Sequence, residues 1–167
     1  MTNNFVFEKD IAAKKIRVER EFNAPVEKVW KAWTDPDILE KWWGPKPWIA
    51  KTKSMDFTVG GVWLYYMAGP EGQKFWSHVK FTAIENGSRF AADSAFSDEN
   101  GTVPPGAATG HWDNKFVAVG NKTKVMVDLS FDDEAAIKMM VEMGFEGGFT
   151  MGLNQLEELL NSYNDIL

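Results

Sequence analysis

The feature that most constrains this chain is a series of segments in which apolar and polar residues alternate, followed by one long amphipathic segment. Alternation with a period of two residues runs through 16–22, 62–67, 74–84, 89–96 and 122–131, which predicts β-strands. Short turns rich in glycine, proline and asparagine separate most of these segments, so consecutive strands should pair antiparallel. Such a sheet buries one face and exposes the other.

Helices are predicted on both sides of this series. The apolar spacing of 26–33 predicts a first short helix, and Asp35 is expected to cap a second one, which ends at Gly44-Pro45. From Asp132 onward the chain should be helical, with a bend or break marked by Gly144, Gly147 and Gly148. The last helix places one apolar stripe on a single face: Phe145, Phe149, Leu153, Leu156, Leu160 and Tyr163.

The element order is therefore a strand, two short helices, five or six strands and a long helix. Without internal repeats or a linker, the 167 residues predict one α+β domain over 1–167, with its core at about 14–163. The long helix is the main element able to cover the buried face of the sheet. We expect an apolar cavity between the two.

The composition excludes several classes of function. The chain has no cysteine, which excludes thiol catalysis and zinc–thiolate sites and fits a reducing cytoplasm. A net charge of −6 without a dense basic patch argues against nucleic-acid binding. From residues 1–10 we expect no signal peptide, and no apolar run is long enough to predict a membrane span. We expect a cytoplasmic protein.

At this point the sequence resembles a known family. Residues 22–25 (Phe-Asn-Ala-Pro), 29–36 (Val-Trp-Lys-Ala-Trp-Thr-Asp-Pro) and 42–45 (Trp-Trp-Gly-Pro) are similar to the opening of the Activator of Hsp90 ATPase homologue 1-like family. That family lies within the START-like (SRPBCC, Bet v 1-like) superfamily. The resemblance covers about 16–160 and implies a helix-grip fold, an antiparallel sheet wrapped around a C-terminal helix. The superfamily includes lipid carriers, hormone receptors, aromatase/cyclases and Hsp90 co-chaperones, so the fold alone does not choose a function.

No segment carries a catalytic motif such as a nucleophile elbow, a phosphate loop, a dinucleotide fingerprint or a zinc-binding helix. His111 and Asp113 should share one face of a strand, within reach of a hydrogen bond or of a shared metal ion. Two ligands without a third are weak support for a metal site, and a surface pair is the preferred interpretation. We expect no catalytic residues, no metal and no cofactor.

Aromatic residues make up 14% of the chain, which allows two interpretations. They either fill the interior completely or line a pocket for a flat or elongated apolar molecule. Ser77, Ser94, Asn114 and Tyr66 are the polar groups expected to orient such a molecule. The predicted cavity-lining residues are Trp30, Trp33, Trp42, Tyr66, Phe75, Ser77, Phe81, Phe90, Trp112, Asn114, Phe116, Phe149 and Leu153.

Glycines in the last helix lower its stability, which requires a reason. Gly148 and Gly152 indicate either close packing on a strand, the favoured interpretation, or space for a ligand. The leading hypothesis for function is a non-catalytic binder of a small apolar molecule. The alternatives are a chaperone-cofactor-like interaction module acting on an Hsp90-type chaperone, and a cyclase- or hydrolase-type enzyme. A homodimer is also compatible with the resemblance.

Overall fold

The computed structural model describes residues 5–162 and consists of eight strands and four helices. The strands form one antiparallel sheet in the order β1-β2-β8-β7-β6-β5-β4-β3. In chain order the elements are β1 (Phe5–Asp10), β2 (Lys15–Phe22), α1 (Val26–Thr34), α2 (Pro36–Trp42), β3 (Ile49–Met55), β4 (Val62–Ala68), β5 (Lys74–Glu85), β6 (Arg89–Ser97), β7 (Gly110–Val119), β8 (Lys122–Phe131), α3 (Glu134–Glu142) and α4 (Phe145–Ser162).

The α+β helix-grip prediction is confirmed. Strands β3 to β8 form a meander in which each strand pairs with the next, and β2 joins the sheet beside β8. The helices α1 and α2 cross from β2 to β3, while α4 packs against α2. Tyr163, which the helical stripe includes, lies outside the described residues.

Strand β1 is an addition to the predicted order. It pairs with β2 at the edge of the sheet, where Phe5 opposes Arg20 and Asp10 opposes Lys15. Its apolar residues are confined to 5–7, of which Phe7 is half-buried against Phe145, so no full period of alternation marks the strand.

The core lies between one face of the sheet and the helices α1, α2 and α4. Trp42 of α2 is completely buried, and its indole N–H donates to the carbonyl oxygen of Ala32 at 2.9 Å. The α4 residues Leu156 and Leu160 are 0% and 1% exposed. This packing fixes α2 against α4 and closes one end of the space under the sheet.

The helix boundaries have local causes. Asp35 caps α2 as predicted, accepting a hydrogen bond from the backbone N–H of Asp37. The helical region breaks at Gly144, whose φ of +84° favours glycine, and α4 starts at the next residue. Gly147 and Gly148 lie inside α4 rather than at the break.

A glutamine and a glycine join α4 to the end of α2. The Gln155 amide donates to the carbonyl oxygens of Trp42 and Gly44 and accepts from the backbone N–H of Lys46. A Cβ on Gly152 would stand 3.2 Å from the Trp42 carbonyl oxygen, so this glycine packs closely on helix α2 rather than on the predicted strand. Gly148 instead lies at the cavity described below, with only Pro45 within 4 Å of an added Cβ.

Candidate functional site

A cavity of about 500 Å³ lies between the sheet and the helices α3 and α4. Strands β4, β5, β6 and β7 supply side chains from one face, and the segment around Trp43 to Trp48 closes another side. Aromatic, aliphatic and methionine side chains make up nearly all of its wall. Among the described residues that line it, none is charged.

The structure brings eight of the predicted cavity residues together. They come from α1, β5, β6, β7 and α4, and they surround one space. These residues are Trp33, Phe75, Ser77, Phe81, Phe90, Trp112, Asn114 and Phe149.

Four predicted cavity residues lie in the packed core behind the wall, so their assignment to the cavity surface is corrected. Trp30 packs edge-on against Phe116 at 5.1 Å between ring centroids, and Phe116 also contacts Trp33. Trp42 and Leu153 are 0% and 2% exposed where α2 meets α4. Helical and strand periodicity identified the buried face but not which buried residues border the empty space.

The assignment of Tyr66 is wrong, because this side chain lies on the outer face of the sheet. It packs against Trp76 and lies beneath the ammonium group of Lys74. The register of β4 against β5 is the cause, since it places Tyr65 opposite Ser77 and Tyr66 opposite Trp76. Because side chains alternate between the two faces of a strand, an assignment that is wrong by one residue places Tyr66 instead of Tyr65 on the cavity face.

Several cavity residues were missed. Tyr65, Trp63 and Met67 follow from the corrected face of β4, and Trp43 and Trp48 come from the segment around the end of α2. Methionines form a second group, and the composition alone gives little indication that they line the cavity. Their flexible side chains suit irregular, adaptable binding surfaces. They are Met55, Met67, Met139, Met140 and Met143.

The mouth of the cavity exposes large apolar side chains. Phe75 and Met143 are 54% and 57% exposed, and the side chains of Phe96 and Met139 are also exposed. All four border the cavity. Apolar groups at the rim give an apolar ligand a continuous path from the surface to the interior.

One polar cluster in the wall is internally satisfied. The Trp43 indole N–H donates to the Tyr65 hydroxyl at 2.9 Å, and Ser77 lies directly across the β4–β5 pair from Tyr65. Burial raises the pKa of the Tyr65 phenol, and hydrogen bonds from Trp43 and with Ser77 oppose this effect. Tyr65 is therefore a neutral group rather than a phenolate.

Two other residues that line the cavity each carry a side-chain atom that has no hydrogen-bond partner and is not open to the cavity. These atoms are the indole Nε1 of Trp33 and the side-chain oxygen Oδ1 of Asn114. Their residues are only 3% and 2% exposed. Buried polar atoms are normally paired, so these two require an explanation.

The pair considered for catalysis lies on the outer face of the sheet. His111 and Asp113 border a shallow groove there, whereas their neighbours Trp112 and Asn114 line the cavity. Asp113 receives hydrogen bonds from Arg89, and His111 lies between Asp93 and Asp132 at 2.7 and 2.9 Å. Hydrogen bonding to Asp93 raises the pKa of His111, and Asp132 adds to this effect against the opposing effect of burial.

Two kinds of structural feature are absent from the described residues. No group of three or more His, Asp or Glu residues in 5–162 is arranged to hold a metal ion. Within the same range, no helix has the length and apolar character needed to cross a membrane.

Several solved structures are similar to this chain in both sequence and fold. A protein from Arthrobacter aurescens is 35% identical, with a TM-score of 0.87 over 94% of this chain and 91% of that one. A protein from Mycobacterium smegmatis is 26% identical, with a TM-score of 0.82 over 94% and 97% of the two chains. A protein from Staphylococcus epidermidis is 27% identical, with a TM-score of 0.82 over 94% of each chain. No curated protein is significantly similar in sequence.

A match to a family model identifies the family of this chain. The model described as "Activator of Hsp90 ATPase homolog 1-like protein" matches residues 23–161, most of the chain and all of the cavity wall. The predicted resemblance is confirmed, and the chain belongs to the Activator of Hsp90 ATPase homologue 1-like family.

Proposed function

We propose that this domain is a cytoplasmic, non-catalytic binder of a small, neutral, apolar molecule held in the cavity between the sheet and the C-terminal helices. The observation that carries the proposal is the apolar, aromatic-lined cavity of about 500 Å³. Its volume lies within the range of about 300–1,000 Å³ that is usual for small-molecule sites. The absence of cysteine is consistent with the cytoplasm.

The chemistry of the wall favours binding over catalysis. No described side chain in the wall is charged, and the hydroxyl of Tyr65 is held neutral by burial. A charged ligand would lose its hydration without gaining a counter-charge, which is strongly unfavourable. The lack of a carboxylate or imidazole in the wall also leaves no ordinary general acid or base there.

The test is the binding of the neutral fluorophore N-phenyl-1-naphthylamine to a matched pair of variants. Ala92 lines the cavity, whereas its neighbour Ala91 borders the outer groove. We expect Ala92→Phe to fill part of the cavity and weaken binding by about tenfold or more, since excluded contacts and steric overlap together exceed about 1.4 kcal/mol. Ala91→Phe adds the same group on the other face and should leave the affinity unchanged.

Equal affinities for the wild type and both variants, or no binding to the wild type, would contradict the proposal. The unfolding midpoint of each variant in urea, measured in parallel, separates blocked binding from a loss of folding.

A chaperone-cofactor role is a second candidate, and the description of the matching family favours it. It predicts that the purified domain binds an Hsp90-type chaperone and raises its rate of ATP hydrolysis. A mixture of the two proteins that shows neither effect would remove this candidate and leave the ligand-binding proposal intact.

A further inference from the structure

The apolar wall of the cavity carries two polar side-chain groups that are both accessible and unpaired. Within residues 5–162, the unpaired side-chain atoms that are inaccessible belong to Arg20, Trp33 and Asn114. The indole N–H of Trp112 and the hydroxyl of Ser94 also have no hydrogen-bond partner in this part of the chain, and both residues are half-buried. Since neither atom is among the inaccessible ones and both residues line the cavity, these two groups are available to a ligand.

The ring of Trp112 lies in the interior of the cavity, between the sheet and α4. It packs edge-on against Phe149 at 5.7 Å and against Phe145 at 5.9 Å between ring centroids, and both phenylalanines belong to α4. It also lies 5.9 Å from the ring of Trp43. These contacts fix the ring on the cavity side of the sheet, so its accessible N–H opens onto the cavity.

A glycine next to this ring shows where the indole N–H lies. Gly110 and Trp112 are two residues apart on β7 and therefore share the cavity face. A Cβ on Gly110 would stand 3.5 Å from Trp112 Nε1, 3.2 Å from Leu129 and 3.6 Å from Phe131. The missing side chain leaves a small niche over Gly110, with the indole nitrogen on one side and apolar groups on the other.

Ser94 borders the same niche from the neighbouring strand. It lies directly opposite Gly110 in the β6–β7 register and lines the cavity. Side chains that are directly opposite in an antiparallel pair have Cβ atoms about 4.5–5.5 Å apart, which brings the Ser94 hydroxyl to the edge of the niche. Ser94 is also one of the polar groups that the sequence indicated for orienting a ligand.

The other indoles of the wall do not offer such a group in the interior. Trp43 and Trp63 donate to hydroxyl groups of the protein. The nitrogen of Trp33 is inaccessible, and Trp48 lies at the mouth beside an exposed phenylalanine. Among the described residues of the wall, Trp112 therefore has the only indole N–H that is both unpaired and open in the interior.

The chemistry of the two groups limits what binds in the niche. An indole N–H only donates a hydrogen bond, whereas a serine hydroxyl donates or accepts. A single carbonyl oxygen has two lone pairs and accepts from both groups at once. A carboxylate would also accept from both, but it would bring a charge into a wall that has no charged side chain among its described residues.

We propose that the ligand of this cavity is an apolar molecule bearing a carbonyl group, and that the carbonyl oxygen binds in the niche over Gly110, where it accepts hydrogen bonds from Trp112 and Ser94. This inference rests on the proposed function, because it assumes that the cavity is a binding site. Trp112 and Ser94 then act as specificity-determining residues, which select an oxygen acceptor over a hydrocarbon group of the same shape.

The experiment compares a ketone with a hydrocarbon of nearly the same shape. The probes are 2-acetylnaphthalene and 2-isopropenylnaphthalene, in which a methylene group replaces the carbonyl oxygen. Their dissociation constants are measured by displacement of N-phenyl-1-naphthylamine from the wild type, Trp112→Phe and Ser94→Ala. Comparing the ratio of the two constants between proteins removes the difference in hydrophobicity between the probes. Trp48→Phe is the matched control, since it deletes an indole N–H from the same wall but at the mouth.

We expect Trp112→Phe and Ser94→Ala each to shift this ratio against the ketone by about three- to tenfold, which corresponds to the loss of one neutral hydrogen bond. Phenylalanine keeps an aromatic ring on the cavity face, so the affinity for the hydrocarbon should change less. Trp48→Phe should change both constants by the same factor. The unfolding midpoint of each variant in urea, measured in parallel, shows whether it is folded.

An unchanged ratio in Trp112→Phe, or an equal shift in Trp48→Phe, overturns the carbonyl inference and leaves the cavity as a binding site. A shift in Trp112→Phe without one in Ser94→Ala overturns the shared site, because the indole would then be the sole donor. Failure of the wild type to bind the fluorophore or either naphthalene overturns the proposed function and this inference with it.

Discussion

At the scale of single residues, His111 is a titratable side chain that contacts acidic residues from two different parts of the fold. Its ring contacts Asp93 on β6 and Asp132 at the start of the α3 region. Because its pKa in the folded state is raised above the ordinary value of about 6.5, the imidazolium stabilises the folded state. The contribution is complete below the unfolded-state pKa and is lost as the pH rises through the folded-state pKa.

The prediction is a pH-dependent difference in stability between the wild type and His111→Gln. The free energy of unfolding in urea, measured from about pH 6 to about pH 9, should fall more for the wild type, with the difference between the two proteins shrinking as the pH rises. Glutamine keeps a hydrogen-bonding side chain but does not titrate. Parallel pH profiles of the two proteins would show that the contacts to Asp93 and Asp132 do not stabilise the charged ring.

The tyrosines of β4 show where residue-level prediction from sequence ends. Alternation separates Tyr65 from Tyr66 but does not say which faces inward, since both neighbours, Leu64 and Met67, are apolar. Pairing with β5 decides it by placing Tyr65 opposite Ser77. Asp35, by contrast, was predictable as a helix cap because its role depends on adjacent residues alone.

At the scale of elements, two glycines of α4 allow the effect of close packing on stability to be distinguished from the effect of helix propensity. A Cβ on Gly152 would come within 3.2 Å of the Trp42 carbonyl oxygen, which Gln155 also holds. Nothing lies within 4 Å of a Cβ on Gly147, and its φ is not positive. The two glycines share one helix and differ in their surroundings.

We therefore expect opposite effects of the same substitution. Gly147→Ala should raise the free energy of unfolding by about 0.5–1 kcal/mol, the usual difference in helix propensity. Gly152→Ala should lower it, because the displacement of Trp42 exceeds this gain. Urea denaturation of both variants measures the effects. Equal stabilisation by both substitutions would mean that α2 yields to the extra methyl group at no cost.

Elements differ in how well the sequence predicts them. The meander from β4 to β8 and the amphipathic helix α4 carry buried apolar faces, which periodicity detects. Strand β1 has no fully buried residue, and only Phe7 reaches the core, where it packs against Phe145, so its short apolar segment carries little periodicity to detect.

At the scale of the whole molecule, the sequence predicts the fold more accurately than it predicts which residues line the cavity. Binary patterning says which residues are buried, and Trp30, Trp42 and Leu153 are indeed buried. Whether a buried residue touches its neighbours or borders empty space depends on how all the elements pack together. Trp33 and Trp42, on consecutive helices, differ in this respect, and no local pattern separates them.

The measurement that tests the central claim most directly is the location of a bound apolar molecule by NMR, with the methionine methyl groups labelled with ¹³C. Met55, Met67, Met139, Met140 and Met143 line the cavity, whereas the exposed Met151 and the half-buried Met126 do not. The account predicts nuclear Overhauser effects from bound 2-naphthol to the cavity methyl groups and none to Met126 or Met151. Contacts only to Met126 or Met151, or no contacts at saturating probe, would contradict it.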